Sequence, residues 1–547
     1  MTSRSLGHRA PLLWLALPMM AGLAMGKATA VGAAIPWLLG GALVAATAAS
    51  FARRRAPGGW SPMLCAAMIL AGMASYALHR SRLTAWETLP PREARLSLRI
   101  DRVFPSIDAR KATGLATIRH TDAHLRDLVG QRVYFSLALR PGTAPPLRSA
   151  EVAAVGVIET LPRDPAADTF EGYLASAGIN FRFTRGRWLM EEKAPTAYRR
   201  FCAQTADRFS AILGAGVKTK RPELTAVLRA MLLGQQHELS DEQKTLFRQS
   251  GTMHVFSISG LHIAVIAVGL QSLLLLLRLP RVARFGVGLA ALWLYVDVTG
   301  GSPSAVRAFV MVALFQATLV LRRPGNPVSA LAAAALVVVL AEPLQVFSAS
   351  FQMSYGIVAA LLLLGLPLAD RWLAAWSPFA DLPQVTWTWI HHGIAMLWRG
   401  FVAAMAIGLA ATLVSAISGV FFFHLFTPGA LLANLVLIPA SSLVIVFGFV
   451  SLLCGLIGFT AGAVLANHAA VLLLWGIEAG IREFVTLPAM WFPAHFVAPW
   501  IGPVALTALL AVVVAGYATG WRGWSRGYWA PFAVVVAAFV LGVRFGA

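Results

Sequence analysis

Charge is scarce in this sequence: of 547 residues only 13% are Asp, Glu, Lys or Arg, while 58% are hydrophobic. An aqueous fold cannot bury that much apolar surface, so the composition excludes an ordinary soluble protein and makes the bilayer the solvent. Cysteine is scarcer still. Cys65 and Cys454 fall in apolar stretches, and with Cys202 they offer neither a disulfide framework nor a CxxC metal site. Signatures of self-powered or zinc chemistry are also missing. Gly26-Lys27 lacks the first glycine and the following Ser/Thr of a P-loop, and HELSD at His237 does not complete HExxH. No cofactor, metal or catalytic residue is expected.

What the sequence has is apolar runs, with a mean hydropathy of +0.69. A hydrocarbon layer needs about 20 apolar residues per helix, and counting such runs predicts a polytopic α-helical membrane protein of about 11–13 transmembrane helices. The organisation expected is N-terminal transmembrane helices over 1–80, a basic β domain over 81–193 and amphipathic interfacial helices over 194–250. Transmembrane helices follow over 251–490 and 491–547. The run 429–457 is long for one crossing and carries Pro439, which suggests a broken or re-entrant helix.

Basic loops orient such a chain, because Lys and Arg collect on the cytoplasmic side. Arg4, Arg9, Arg53, Arg54 and Arg55 place the first hairpin's ends inside, and Arg278, Arg281, Arg284, Arg322, Arg323, Arg522 and Arg526 continue the pattern. The N-terminus is then cytoplasmic, and the polar block and C-terminus extracytoplasmic. Asp370, Arg371 and Arg399 bracket a Trp-rich amphipathic stretch expected along the inner interface.

Residues 80–221 hold 24 Lys/Arg against 14 Asp/Glu, an excess of 10 in a net charge of +21. Such an excess attracts nucleic acid or lipid headgroups, or is simply a solvated surface. Period-two alternation marks strands at 94–103, 112–119, 131–140, 150–159 and 179–190. Five strands after the third helix suit a small extracytoplasmic barrel, OB-like. On the last, Arg182, Arg185, Arg187 and Trp188 interleave with Phe181 and Phe183, the mixture a single-strand groove uses, unless it is only a half-buried strand. Further on, Ser240 and Gln243 fit a helix-capping box.

Polar groups within apolar runs are costly in lipid and mark candidate channel or gate residues. They are His254, Ser257, Ser259, His262, Asp297, Arg307, Gln316, Gln352, His424, Asn434 and Glu478. If one helix continues through Gly260, His254, Ser257 and His262 share a face, as an interhelical hydrogen-bond cluster or, with a further ligand, a metal pair. Arg307 could meet phosphate, reach the outer interface or pair with Asp297. Asn434 could clasp a helix broken at Pro439 or face a pore.

The segment MLLGQQHELSDEQKTLFRQSGTMHVFSISGLHIAV (231–265) resembles the signature of the ComEC family of competence proteins. TGGSPSAVRAF (299–309), SASFQMSY (348–355) and FTPGALLANLVLIP (426–439) agree with its further motifs in order, and DTFEGYLASAGINFR (168–182) is similar to a stretch of its extracellular domain. The resemblance implies an inner-membrane channel for uptake of DNA, as a single strand, in natural transformation. It also implies partners: DNA, membrane lipid, an outer DNA receptor and a cytosolic ATP-driven translocase. Many members continue into a metallo-β-lactamase-like domain. No HxHxDH string occurs here, so no nuclease in cis is expected. A small-solute or lipid transporter remains the alternative, although no inverted repeat is evident.

Overall fold

A computed structural model describes residues 10–29, 34–55, 59–80, 86, 89–106, 108, 110–322, 326–523 and 527–546. Arg4, Arg9, Arg323 and Arg526 lie outside the described residues, as do the side chains of Arg54 and Arg55.

The chain opens with helices α1 (Leu13–Thr29), α2 (Ile35–Arg55) and α3 (Trp60–His79). Helices in lipid associate through close backbone contact, which small residues permit. Between α1 and α3 that contact is tight: a Cβ on Gly22 would lie 2.1 Å from the Ile69 carbonyl oxygen, and one on Gly72 would lie 2.4 Å from that of Met19.

Five strands follow, β1 (Arg92–Phe104), β2 (Lys111–Thr121), β3 (Arg132–Ala138), β4 (Glu151–Thr160) and, after the short helix α4 (Phe170–Ser176), β5 (Phe181–Lys193). They close into a barrel in the order β1-β2-β3-β5-β4, with β3 and β5 parallel and the other pairs antiparallel. Closure removes every sheet edge and encloses Leu98, Ile118, Phe135, Leu137, Val152, Phe181 and Phe183. The barrel expected from alternation is therefore present, after the third helix.

Next come α5 (Ala197–Gly214), α6 (Pro222–Leu233) and α7 (Asp241–Gln249). The capping box is formed: the Gln243 amide N–H donates to Ser240 Oγ at 3.1 Å, and the Ser240 amide N–H donates to Gln243 Oε1 at 3.2 Å. The expected interfacial character fails at α6. Leu224 through Leu233 are all buried, packed against α5, α14 and α15, because this helix is apolar around its circumference rather than on one face. Its Arg229 donates through Nη1 to Glu238 at 3.3 Å and through Nη2 to the Ser210 carbonyl at 2.9 Å.

The remaining helices are α8 (Gly260–Leu276), α9 (Arg281–Val298), α10 (Pro303–Val320), α11 (Pro327–Ala341), α12 (Ala349–Ala375), α13 (Trp389–Phe423), α14 (Ala430–Leu456), α15 (Thr460–Thr486), α16 (Ile501–Ala518) and α17 (Ala530–Gly542). A small sheet joins β6 (Leu425–Phe426), β7 (Phe492–Phe496) and β8 (Val543–Phe545). Among the described residues, eight helices are long and apolar enough to cross a bilayer, and α8, α11 and α17 are shorter apolar helices. The protein is a multi-pass membrane protein. Contrary to the broken helix expected at Pro439, α14 is continuous through it, and Ser441 and Ser442 donate to the Ile438 carbonyl there. The Trp-rich stretch is not a separate surface segment at its C-terminal end, since α13 already starts at Trp389. In α12 a π-helical turn at Leu361–Gly365 joins two α-helical halves.

The β4–β5 connection, residues 161–180, fixes the barrel to the helices. Asp164 pairs with Lys27 at 3.3 Å, Asp168 with His424 at 2.8 Å, and the Arg80 guanidinium donates to Asn180 Oδ1 and the Ile179 carbonyl. Helix α4 also packs on the Pro343–Phe347 turn between α11 and α12.

Gly72→Leu should lower the thermal stability of the purified protein in detergent by about 1–3 kcal/mol of overpacking cost. Gly40→Leu, at a position with nothing within 4 Å of a built Cβ, should leave it unchanged. Equal melting curves for the two variants would refute the tight α1–α3 contact.

Candidate nucleic-acid interface

The six residues expected to bind DNA do not share one surface. In a closed barrel, successive side chains on a strand alternate between core and solvent. Phe181 (1% exposed) and Phe183 (0%) are on the core side, so neither ring is available to a base; the sequence-based expectation is corrected there. Trp188 is half-buried against the same core. Arg182 points outward but is already neutralised, 2.8 Å from Glu171 and 3.4 Å from Glu159.

Arg185 and Arg187 are exposed, Arg185 with a left-handed backbone (φ 51°) where the β4–β5 register shifts. Arg187 lies opposite Val155, and Val155 opposite Arg95 on the far strand, so the three arginines share an outer face of β1, β4 and β5. Among the described residues none of them has a carboxylate partner. Free guanidinium groups matter here because residues 92–193 hold 16 Lys/Arg against 12 Asp/Glu, and much of that charge cancels locally.

A second feature was not found from the sequence. Phe104, Tyr134, Phe170 and Tyr173 form a ring cluster with centroid separations of 5.2–6.5 Å. The Arg102 guanidinium lies 5.6 Å over Phe104 and donates to the Tyr173 hydroxyl at 3.4 Å. Burial pushes the Tyr134 pKa up, so the ring stays neutral. The available signal was the aromatic spacing Phe170-Glu171-Gly172-Tyr173, which alternation-based reading passes over because it is helical.

The candidate channel residues resolve into separate pairings. Helix α8 begins at Gly260, so His254 and Ser257 precede it and do not share a helical face with His262, because Ser259 caps the helix. Ser257 Oγ donates to the His254 carbonyl at 3.4 Å, while His262 Nδ1 accepts from the Ser259 amide N–H at 3.3 Å and lies 2.9 Å from its hydroxyl. Among the described residues no three His, Cys, Asp or Glu side chains form a metal-sized group.

Asp297 and Arg307 do not pair with each other. The Asp297 carboxylate, 4% exposed, accepts from Arg199 Nη1 at 2.9 Å, Tyr198 OH at 2.9 Å and Arg148 Nη1 at 3.4 Å, which ties α9 to α5 and to the β3–β4 loop. Burial and then the Asp297 contact raise the Tyr198 pKa; burial and the neighbouring Arg199 lower that of Arg148 against the pull of Asp297. Arg307, 1% exposed, donates to the Gln345 side chain at 3.3 Å, the Ser350 carbonyl at 2.9 Å, the Ser350 hydroxyl and the Ser354 hydroxyl at 3.1 Å. It thus binds α10 to the N-terminal turn of α12.

Gln316 accepts from Gln271 at 3.1 Å between α10 and α8, and Gln352 donates to the Val346 carbonyl at 3.1 Å. His424 caps α13 in a left-handed conformation and holds Asp168. Asn434 Oδ1 is buried without a partner among the described residues. Glu478 accepts from Gln243 at 3.2 Å and pairs with Arg482 at 3.4 Å, beside a pocket of about 490 Å³ whose lining includes Lys220, Arg221 and Trp475.

The family described as "Competence protein" matches residues 231–519, more than half of the chain. The chain belongs to the ComEC family of competence proteins. The match runs from α6 to α16, so the buried Arg307 clasp and the α8 cap lie within it and the barrel lies outside it. Among curated relatives, ComE operon protein 3 of Bacillus subtilis is 30% identical over 142 residues, 26% of this chain and 18% of that protein. Competence protein ComA of Neisseria gonorrhoeae is 31% identical over 223 residues, 38% of this chain and 30% of that protein. Uncharacterized protein YcaI of Escherichia coli is 26% identical over 311 residues, 53% and 38% of the two. The chain thus spans well under half the length of these relatives. No solved structure matches.

Asp297→Asn removes the charge that compensates two arginines. With those arginines partly exposed, the expected loss is about 2 kcal/mol, below the range for a fully buried pair. It should appear as earlier thermal aggregation in detergent, and an unchanged transition would show that the junction contributes nothing.

Proposed function

We propose that this ComEC-family chain takes up DNA in natural transformation, the barrel receiving it outside the inner membrane and the helix bundle passing a single strand inward. The observation that carries the reading is a barrel whose exposed Arg95, Arg185 and Arg187 lack carboxylate partners among the described residues, fastened to a competence-family bundle by the Arg148–Asp297 ion pair and the Asp168–His424 contact. A polyanion cannot dissolve in hydrocarbon, so a polar route is required. The polar side chains that such a route would use are paired with one another as described above. Opening exchanges protein partners of groups such as Arg307 and Gln316 for water or phosphate.

Helix direction supports the orientation. The starts of α8, α10 and α12 and the end of α9 lie on the barrel side, which leaves Arg278, Arg281, Arg284 and Arg322 at the opposite end, in keeping with the proposal that this end is cytoplasmic. A receptor outside and an ATP-driven translocase inside would supply capture and force.

In nanodiscs, the full chain should bind a labelled oligonucleotide with an affinity that falls as salt rises. Arg187→Gln should flatten the slope of log K against log salt by about 0.7, one single-strand phosphate contact. Absence of binding at low salt would overturn the DNA reading, and an unaltered slope would remove Arg187 from the interface.

A further inference from the structure

We propose that the Phe104–Tyr134–Phe170–Tyr173 cluster is a base-stacking site that selects single-stranded over duplex nucleic acid beside the bundle, an inference that rests on the DNA reading above. The motif DTFEGYLASAGINFR takes no part in the arginine face, yet it builds α4 and supplies two of the four rings. Beneath them Leu115, Leu161, Leu174 and Ile179 already make a buried apolar layer. Phe170 lies outside that layer, 50% exposed, with its neighbours Tyr134 and Tyr173 at 5.2 and 6.0 Å. A large ring held rigid at low entropy cost and open to solvent suits a base face.

The charges around the rings fit a polyanion. Arg102 leans over Phe104, and Arg132 donates to the Ala177 carbonyl at the end of α4; neither has a carboxylate partner among the described residues. Glu171, the acid nearest in sequence to Phe170, is taken up by Arg182, which lies opposite Tyr134 in the β3–β5 register. Repulsion of phosphate is thereby reduced without spending Arg102 or Arg132.

Position is the third support. Phe104 ends β1 where the β1–β2 loop begins, Tyr134 is on β3, and Phe170 and Tyr173 sit within the β4–β5 connection. Those are the regions through which OB-type barrels hold oligonucleotides. Here the same connection docks on the helices through Asp164–Lys27 and Asp168–His424, and α4 rests on the turn before α12, the helix that Arg307 grips. A base stacked on Phe170 is therefore held close to the barrel-side end of the bundle. Duplex DNA hides its base faces and can use only the arginines.

The test compares three probes on the full chain in nanodiscs: a short oligothymidylate, an abasic strand of equal length, and a duplex. Wild type should prefer the oligothymidylate to the abasic strand by about tenfold, within the range for one stacked base. Phe170→Ala should abolish that preference and leave duplex binding unchanged, while Phe170→Tyr retains it. Equal wild-type affinity for oligothymidylate and abasic strand would overturn the stacking site while leaving the arginine-face reading intact, as would a Phe170→Ala variant with unchanged preference. Binding of none of the three probes would overturn both. The abasic comparison needs no variant to fold.

Discussion

Hydrocarbon offers no hydrogen bonds, and that single constraint organises the polar chemistry of this bundle. Every donor or acceptor on a spanning helix must find a partner within the protein or pay a desolvation cost of several kcal/mol. The outcome is visible in Arg307, whose guanidinium is surrounded by the Gln345 amide and the hydroxyls of Ser350 and Ser354, and in Gln271 and Gln316 facing each other. These pairings also carry specificity, because a helix rotated or shifted by one turn would leave them unmade. On the uptake proposal, a pathway for a charged polymer has to be opened against these pairings, which makes the same groups candidates to meet a phosphate.

The barrel faces the opposite problem. In water its arginines gain little from staying unpaired, and several do pair: Arg182 with two glutamates, Arg148 with Asp297. Against that background Arg95, Arg185 and Arg187 stand out as exposed guanidinium groups without a carboxylate partner among the described residues. Paired charges tie the barrel to the helices, at the Asp297 junction and along the β4–β5 connection. The barrel is thereby docked while three arginines stay exposed on its outer side.

Local patterns in the sequence were sufficient for the elements they govern. Period-two alternation located the five strands within a few residues, the Ser240–Gln243 spacing announced a formed capping box, and apolar length identified membrane helices. Alternation did not say which of two faces is inside, and that is why Phe181 and Phe183 were first grouped with the arginines; barrel closure settles the question by burying the apolar face. A shared face for His254, Ser257 and His262 required one helix to continue through Gly260, whereas Ser259 and Gly260 are the cap and the start of α8. The partners of Asp297 and Arg307 were illegible for a different reason. Arg148 and Arg199 lie far from Asp297 in sequence, and no local rule brings them together. Pro439 misled because a proline removes one backbone donor without having to end a spanning helix, and α14 continues through it.

The central claim is that the barrel and bundle act in series on one strand of DNA. Reconstituted into liposomes with a membrane potential, the full chain should admit a labelled single strand into a nuclease-protected lumen while excluding the matching duplex. Equal entry of the duplex, or no entry of either under conditions where the barrel demonstrably binds the strand, would contradict it.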